Sequence, residues 1–109
     1  MGSLNYASTA VPIEMDDRLL AHVRTVAVTK LRRGESFALT VPKTSQASET
    51  LWLHASIPLR FDVADDMPLD RELLTAMMTA ANSSGGLDLT NHRITAKLPR
   101  SQHLQAMSA

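Results

Sequence analysis

Between Asp16 and Gly34 the apolar residues return at steps of three and four, and this periodicity restricts the fold more than any other feature of the chain. Leu19, Leu20, Val23, Val26, Ala27 and Leu31 share one face of a helix predicted over residues 17–33, forming a stripe that must be buried. Arg18, His22, Thr25, Thr29 and Arg32 fall opposite it. Ala21 and Val28 widen the apolar arc, with Arg24 between them. Asp16 is placed to cap the helix, Asp17 adds negative charge to its first turn, and Gly34 can take the left-handed conformation that ends it.

The remaining sequence supplies strands for that helix to cover. "SLNYA" and "VPIEM" read as a hairpin, with Pro12 confining the second run to an edge or a strand start. "SFALTV" alternates, placing Phe37, Leu39 and Val41 on one face. Residues 42–49 read as a polar loop, 50–57 as a strand ending near Pro58, and 59–63 as another. Asp70 is positioned to cap a second helix running to about Ala81, with Leu73, Leu74, Met77, Met78 and Ala81 inward. "NSSGG" stops it and "LDLT" forms a last strand.

The predicted order is β-β-α-β-β-β-α-β. Short links between sequential strands favour antiparallel pairing, so the expected fold is α+β, in two layers, with two amphipathic helices on one face of a mostly antiparallel sheet. Residues 1–90 form a single domain in this reading. Residues 91–109 form a basic tail, with a short added element over residues 94–98. With 109 residues and only four aromatics, the core must be built from Leu, Val, Ala and Met. This scarcity, the wide apolar arc of the first helix and a net charge of zero together predict a homodimer, formed through that helix or a strand edge.

Composition narrows the function. Eleven cations balance eleven anions, so no general attraction to nucleic acid or membrane follows. The absence of cysteine removes disulfides and thiolate chemistry and fits a cytoplasmic location. No cationic start followed by an apolar run suggests a signal peptide, and no apolar run reaches the roughly 20 residues of a spanning helix.

Two groups of residues stand out as candidate sites. The first is basic: Arg24, Lys30, Arg32 and Arg33, joined by Arg93, Lys97 and Arg100 of the tail, could touch a partner or nucleic-acid phosphates. For "KLRRG" the plainer account is charge complementarity at the negative end of the helix. A phosphate loop is disfavoured, because phosphate seeks helix N-termini and Gly34 follows a C-terminus. The second group is Trp52 and His54, which would share a strand face and could line a ligand pocket or supply a base. No nucleophile or carboxylate stands at a recognisable motif spacing from His54. Helix capping and a solvated loop account for Asp62, Asp65, Asp66, Asp70 and Glu72, which lack the rhythm of a calcium loop. The histidines show no metal-site spacing. No catalytic residue, metal or cofactor is therefore expected. "ANSSGGL" could cradle an anion, but a helix stop followed by a tight turn suffices to explain it.

"KLRRGESF" after an acid-capped helix, then "WLH", then "TAANSSGGL" resembles a group of small actinobacterial proteins of unknown function, many labelled "ATP-dependent DNA ligase". The resemblance spans residues 2–89, including the "MGSLNY" start. Ala55 departs from the proline usual after that histidine, and the region around Phe37 to Val41 has fewer aromatics than is usual there. The ligase label implies a lysine in a Lys-x-Asp-Gly motif. Here Lys30 is followed by Leu31, Arg32, Arg33 and Gly34, with no aspartate and the glycine one position late. What the resemblance leaves is a DNA-repair context. The resulting expectation is a non-catalytic module that binds a protein partner. Its rivals are a direct nucleic-acid binder using the basic group and a small enzyme centred on Trp52 and His54.

Overall fold

The computed structural model describes residues 1–91 and 94. The elements follow the predicted order: β1 (Gly2–Tyr6), β2 (Ile13–Met15), α1 (Asp17–Arg32), β3 (Phe37–Thr44), β4 (Ala47–Leu53), β5 (Leu59–Asp62), α2 (Arg71–Ala81) and β6 (Leu87–Asp88). The fold is α+β. Its strands divide into two three-stranded sheets, ordered β2-β1-β5 and β4-β3-β6, antiparallel except where β3 meets β6. One core joins the sheets and helices, with Leu4, Leu20, Leu39, Leu53, Leu73, Met77 and Leu87 fully buried. Phe37 is the aromatic within it; Tyr6 and Phe61 pack at its margin. The tail residues Arg93, Lys97 and Arg100, and the element expected over 94–98 apart from buried Ile94, lie outside the described residues.

Both caps form as expected. The Asp16 carboxylate accepts from the amides of Arg18 (3.0 Å) and Leu19 (3.1 Å), and Asp70 accepts from that of Glu72 at 2.9 Å. Helix α1 ends in a Schellman motif: Glu35 N–H donates to Lys30 O and Gly34 N–H to Leu31 O, both at 3.0 Å, with Gly34 at φ +73°.

Three predictions about α1 and β3 are corrected. Lys30, not Leu31, completes the buried stripe of α1; Leu31 is only half-buried. His22, expected to face solvent, is fully buried, because the start of α2 packs over it. The polar loop expected over 42–49 is largely ladder: β3 continues to Thr44 and pairs with β4 from Ala47. Pro42 is tolerated because its missing N–H costs no bond. Thr40 turns its carbonyl away from β4, to the Leu89 amide at 2.8 Å, and Pro42, two residues on, faces the same side. The pairing of β6 with β3 reaches only Leu39 and Thr40.

Candidate functional site

The basic run of α1 separates into two kinds of residue. Arg24, Arg32 and Arg33 are exposed. Lys30 is 4% exposed and belongs to the interior. Its ammonium donates to Glu35 Oε1 at 3.2 Å and to Asn82 Oδ1, and lies 6.0 Å from the centroid of the Phe37 ring. A buried ammonium is tolerable only when paired and hydrogen-bonded, and here the partners come from the α1–β3 turn and the C-cap of α2. Lys30 is therefore a tie between segments, with its charge taken up inside the molecule.

The "ANSSGGL" block closes the same end. Asn82 caps α2, and Ser83 donates through both its amide and its hydroxyl to Ala80 O. Gly86 has φ +72°, and a Cβ there would stand 2.6 Å from the Ala38 carbonyl oxygen, a clash with backbone. Glycine is required for both reasons. The turn thus lies against β3, directly after the "KLRRGESF" segment.

A second polar tie involves His22. Its Nε2 accepts from Asp70 N–H at 2.8 Å, so that nitrogen carries no proton. Nδ1, 2.6 Å from Arg18 O, is then the donor. The neutral ring joins α1 to the start of α2.

Trp52 and His54 are both exposed. Trp52 is 55% exposed on the outer face of its sheet, beside Thr50 and opposite Ala38. β4 ends at Leu53, so His54 lies one residue past the strand. The His54 ring is held locally: Nδ1 accepts from Ser56 N–H at 3.0 Å and lies 2.7 Å from Ser56 Oγ. Among the described residues no three His, Cys, Asp or Glu side chains converge to hold a metal.

A concavity lies elsewhere. A groove of about 660 Å³ runs between the β1–β2 hairpin and the outer half of the β3–β4 hairpin. Tyr6, Ile13, Val41 and Leu51 contribute apolar surface; Val11, Pro12, Lys43, Glu14 and Glu49 stand around them. Both flanking sheets end at the groove, one with β2 and the other with β4. The Tyr6 hydroxyl donates to Trp52 O at 2.8 Å, which shows that the outer edge of β4 faces the first hairpin. In an antiparallel ladder the N–H and C=O of one residue point the same way, so Thr50 and Ser48 also turn their amides outward. By the same alternation Glu14 presents its amide on the outer edge of β2, opposite Ser3. No ladder joins β2 to β4. Sequence reasoning missed this site because its far wall was read as a loop; Pro12 as an edge marker was the available signal.

The family described as Domain of unknown function (DUF7882) matches residues 1–92, and the chain belongs to it. No curated protein and no solved structure matches the chain. Among the described residues no helix is long and apolar enough to cross a membrane.

Proposed function

We propose that this protein works by holding a partner polypeptide in the groove between its two hairpins and catalyses no reaction. The observation that carries this reading is that two strand edges with outward-facing amides border one concave surface floored by apolar side chains. An extended segment laid there would hydrogen-bond to the edge of β4 or β2 and bury its alternate side chains against Ile13, Val41 and Leu51. A second copy of the chain is one such partner. The Trp52–His54 region offers less to a substrate, since His54 is turned onto Ser56 and Trp52 stands on an open face.

A nucleic-acid reading retains one supporting observation: Arg24, Arg32 and Arg33 are exposed and in no ion pair among the described residues. It loses Lys30 to the interior. The DNA-repair context rests only on the resemblance of the two sequence blocks, and packing alone accounts for the Lys30, Asn82 and Gly86 positions within them.

Site-specific photo-crosslinking tests the binding reading. A photoreactive residue replacing Lys43, in the groove, should give a protein adduct in cells, whereas one replacing Arg24, on the exposed face of α1, should not. No adduct from position 43, or equal adducts from both, would refute it.

A further inference from the structure

We infer that the groove takes a cationic strand: an extended peptide in which apolar residues alternate with lysine or arginine. This deepens the binding reading and rests on it. The argument is from charge. Glu14 stands on the β2 side and Glu49 on the β4 side of the same groove. Neither forms an ion pair among the described residues, and Lys43, the single cation among the described lining residues, pairs with neither. Two carboxylates against one ammonium leave the described residues of the lining with a net charge of −1.

The acids sit on opposite walls, with the apolar floor between them. A strand in the groove directs successive side chains to opposite faces. One set meets Ile13, Val41 and Leu51, beside Glu49, which alternation places on the same face as Leu51; the other is left at the rim on the Glu14 side. Cations in that second set are favoured, and carboxylates are repelled. Ladder bonds to the outward amides of Thr50 and Glu14 would provide affinity with little regard to sequence, and the two acids would provide the selection.

The test uses the full chain, labelled with ¹⁵N, and two blocked heptapeptides, one alternating lysine with valine and one alternating glutamate with valine. The lysine peptide should shift the amide signals of Ser48, Thr50 and Glu14. Its affinity should fall at least tenfold in the Glu14→Gln/Glu49→Gln double variant and weaken with added salt. The glutamate peptide should bind at least tenfold more weakly. Equal binding of both peptides, or a double variant that binds the lysine peptide unchanged, overturns the cationic assignment while leaving the groove as a binding site. Groove signals that move only as the protein is concentrated make the occupant a second copy, and also overturn it. If neither peptide nor concentration moves them, the binding reading itself fails. Urea unfolding of the double variant checks that the fold is intact.

Discussion

The two ends of the β3–β4 hairpin differ in how their polar groups are used. At the Phe37 end, Lys30, Glu35 and Asn82 satisfy one another and Gly86 lies against Ala38, so side chains and turn form a closed joint. At the Thr44 end, Glu14, Lys43 and Glu49 surround a groove with no ion pair between them, and strand edges have no neighbour among the described residues. The closed end contains the most distinctive sequence blocks, and the open end contains a stretch that reads as an ordinary polar turn. A distinctive motif can therefore mark where segments must be joined, and a plain one can border an open groove.

The sharpest way to break this contrast is to reverse charge within the basic run. Lys30→Glu would bury an unpaired carboxylate beside Glu35 and should destabilise the fold by about 3–5 kcal/mol. Arg32→Glu, two residues away and exposed, should stay within about 0.5 kcal/mol of the parent. Urea denaturation of both variants measures the difference; similar midpoints would mean that Lys30 is not a structural tie. Glycines give a second, smaller contrast. Gly86→Val meets backbone as well as strain and should cost about 3 kcal/mol. At Gly34 an added Cβ meets nothing within 4 Å, so Gly34→Ala should cost only the left-handed strain of about 1–2 kcal/mol.

Much of the helix placement was legible. Asp16, Asp70 and Gly34 are local signals, read from capping and φ preference without any knowledge of tertiary contacts, and each stands where expected. Lys30 and His22 were misplaced for a common reason. Hydrophobic periodicity assigns polar residues to the outside, yet each of these finds its partners on an element distant in sequence: Asn82 for Lys30, and the Asp70 amide for His22. The groove was not legible, because it depends on where two sheets stop, and strand order across a split sheet is not written in any one segment.

The joint between the sheets offers a smaller test. Tyr6→Phe removes the hydroxyl that holds Trp52 O and should cost about 1 kcal/mol. It should also speed hydrogen exchange of the β4 amides that face β3, those of Leu51 and Leu53. Unchanged exchange there would mean that Tyr6 does not tie the two hairpins together.

The helix route to a dimer should show no effect at all. Val28 is 46% exposed, but Arg24 and Arg32 stand one turn on either side of it, both exposed. A two-fold pairing of antiparallel helices about Val28 would set Arg24 of one copy against Arg32 of the other. Val28→Glu should therefore leave the mass by light scattering at micromolar concentration as it is in the parent. A dimer that this substitution splits would make α1 the contact and leave the groove without a role in association.

A further small effect, on stability, is expected at Asp17, where the first sheet meets α1. Its Oδ1 accepts from Ala64 N–H at 3.2 Å and its Oδ2 lies 3.3 Å from the Met1 amino group. Chiefly the Ala64 hydrogen bond, with the amino group adding to it, holds the Asp17 carboxyl below its ordinary 3.8. A carboxyl whose folded value is depressed stabilises the fold fully above its unfolded value, and that contribution disappears as pH falls through the folded value. Asp17→Asn should thus narrow the loss of stability between neutral pH and pH 3, since one proton fewer is taken up on unfolding there. Stability at pH 7 should drop slightly, as the ionic contact with Met1 is lost while the amide oxygen can still accept from Ala64. Melting curves at pH 7, 4 and 3 measure both effects. If parent and variant lose stability in parallel between pH 4 and 3, Asp17 does not couple this corner of the molecule to protons, and its role reduces to the charge it places in the first turn of α1.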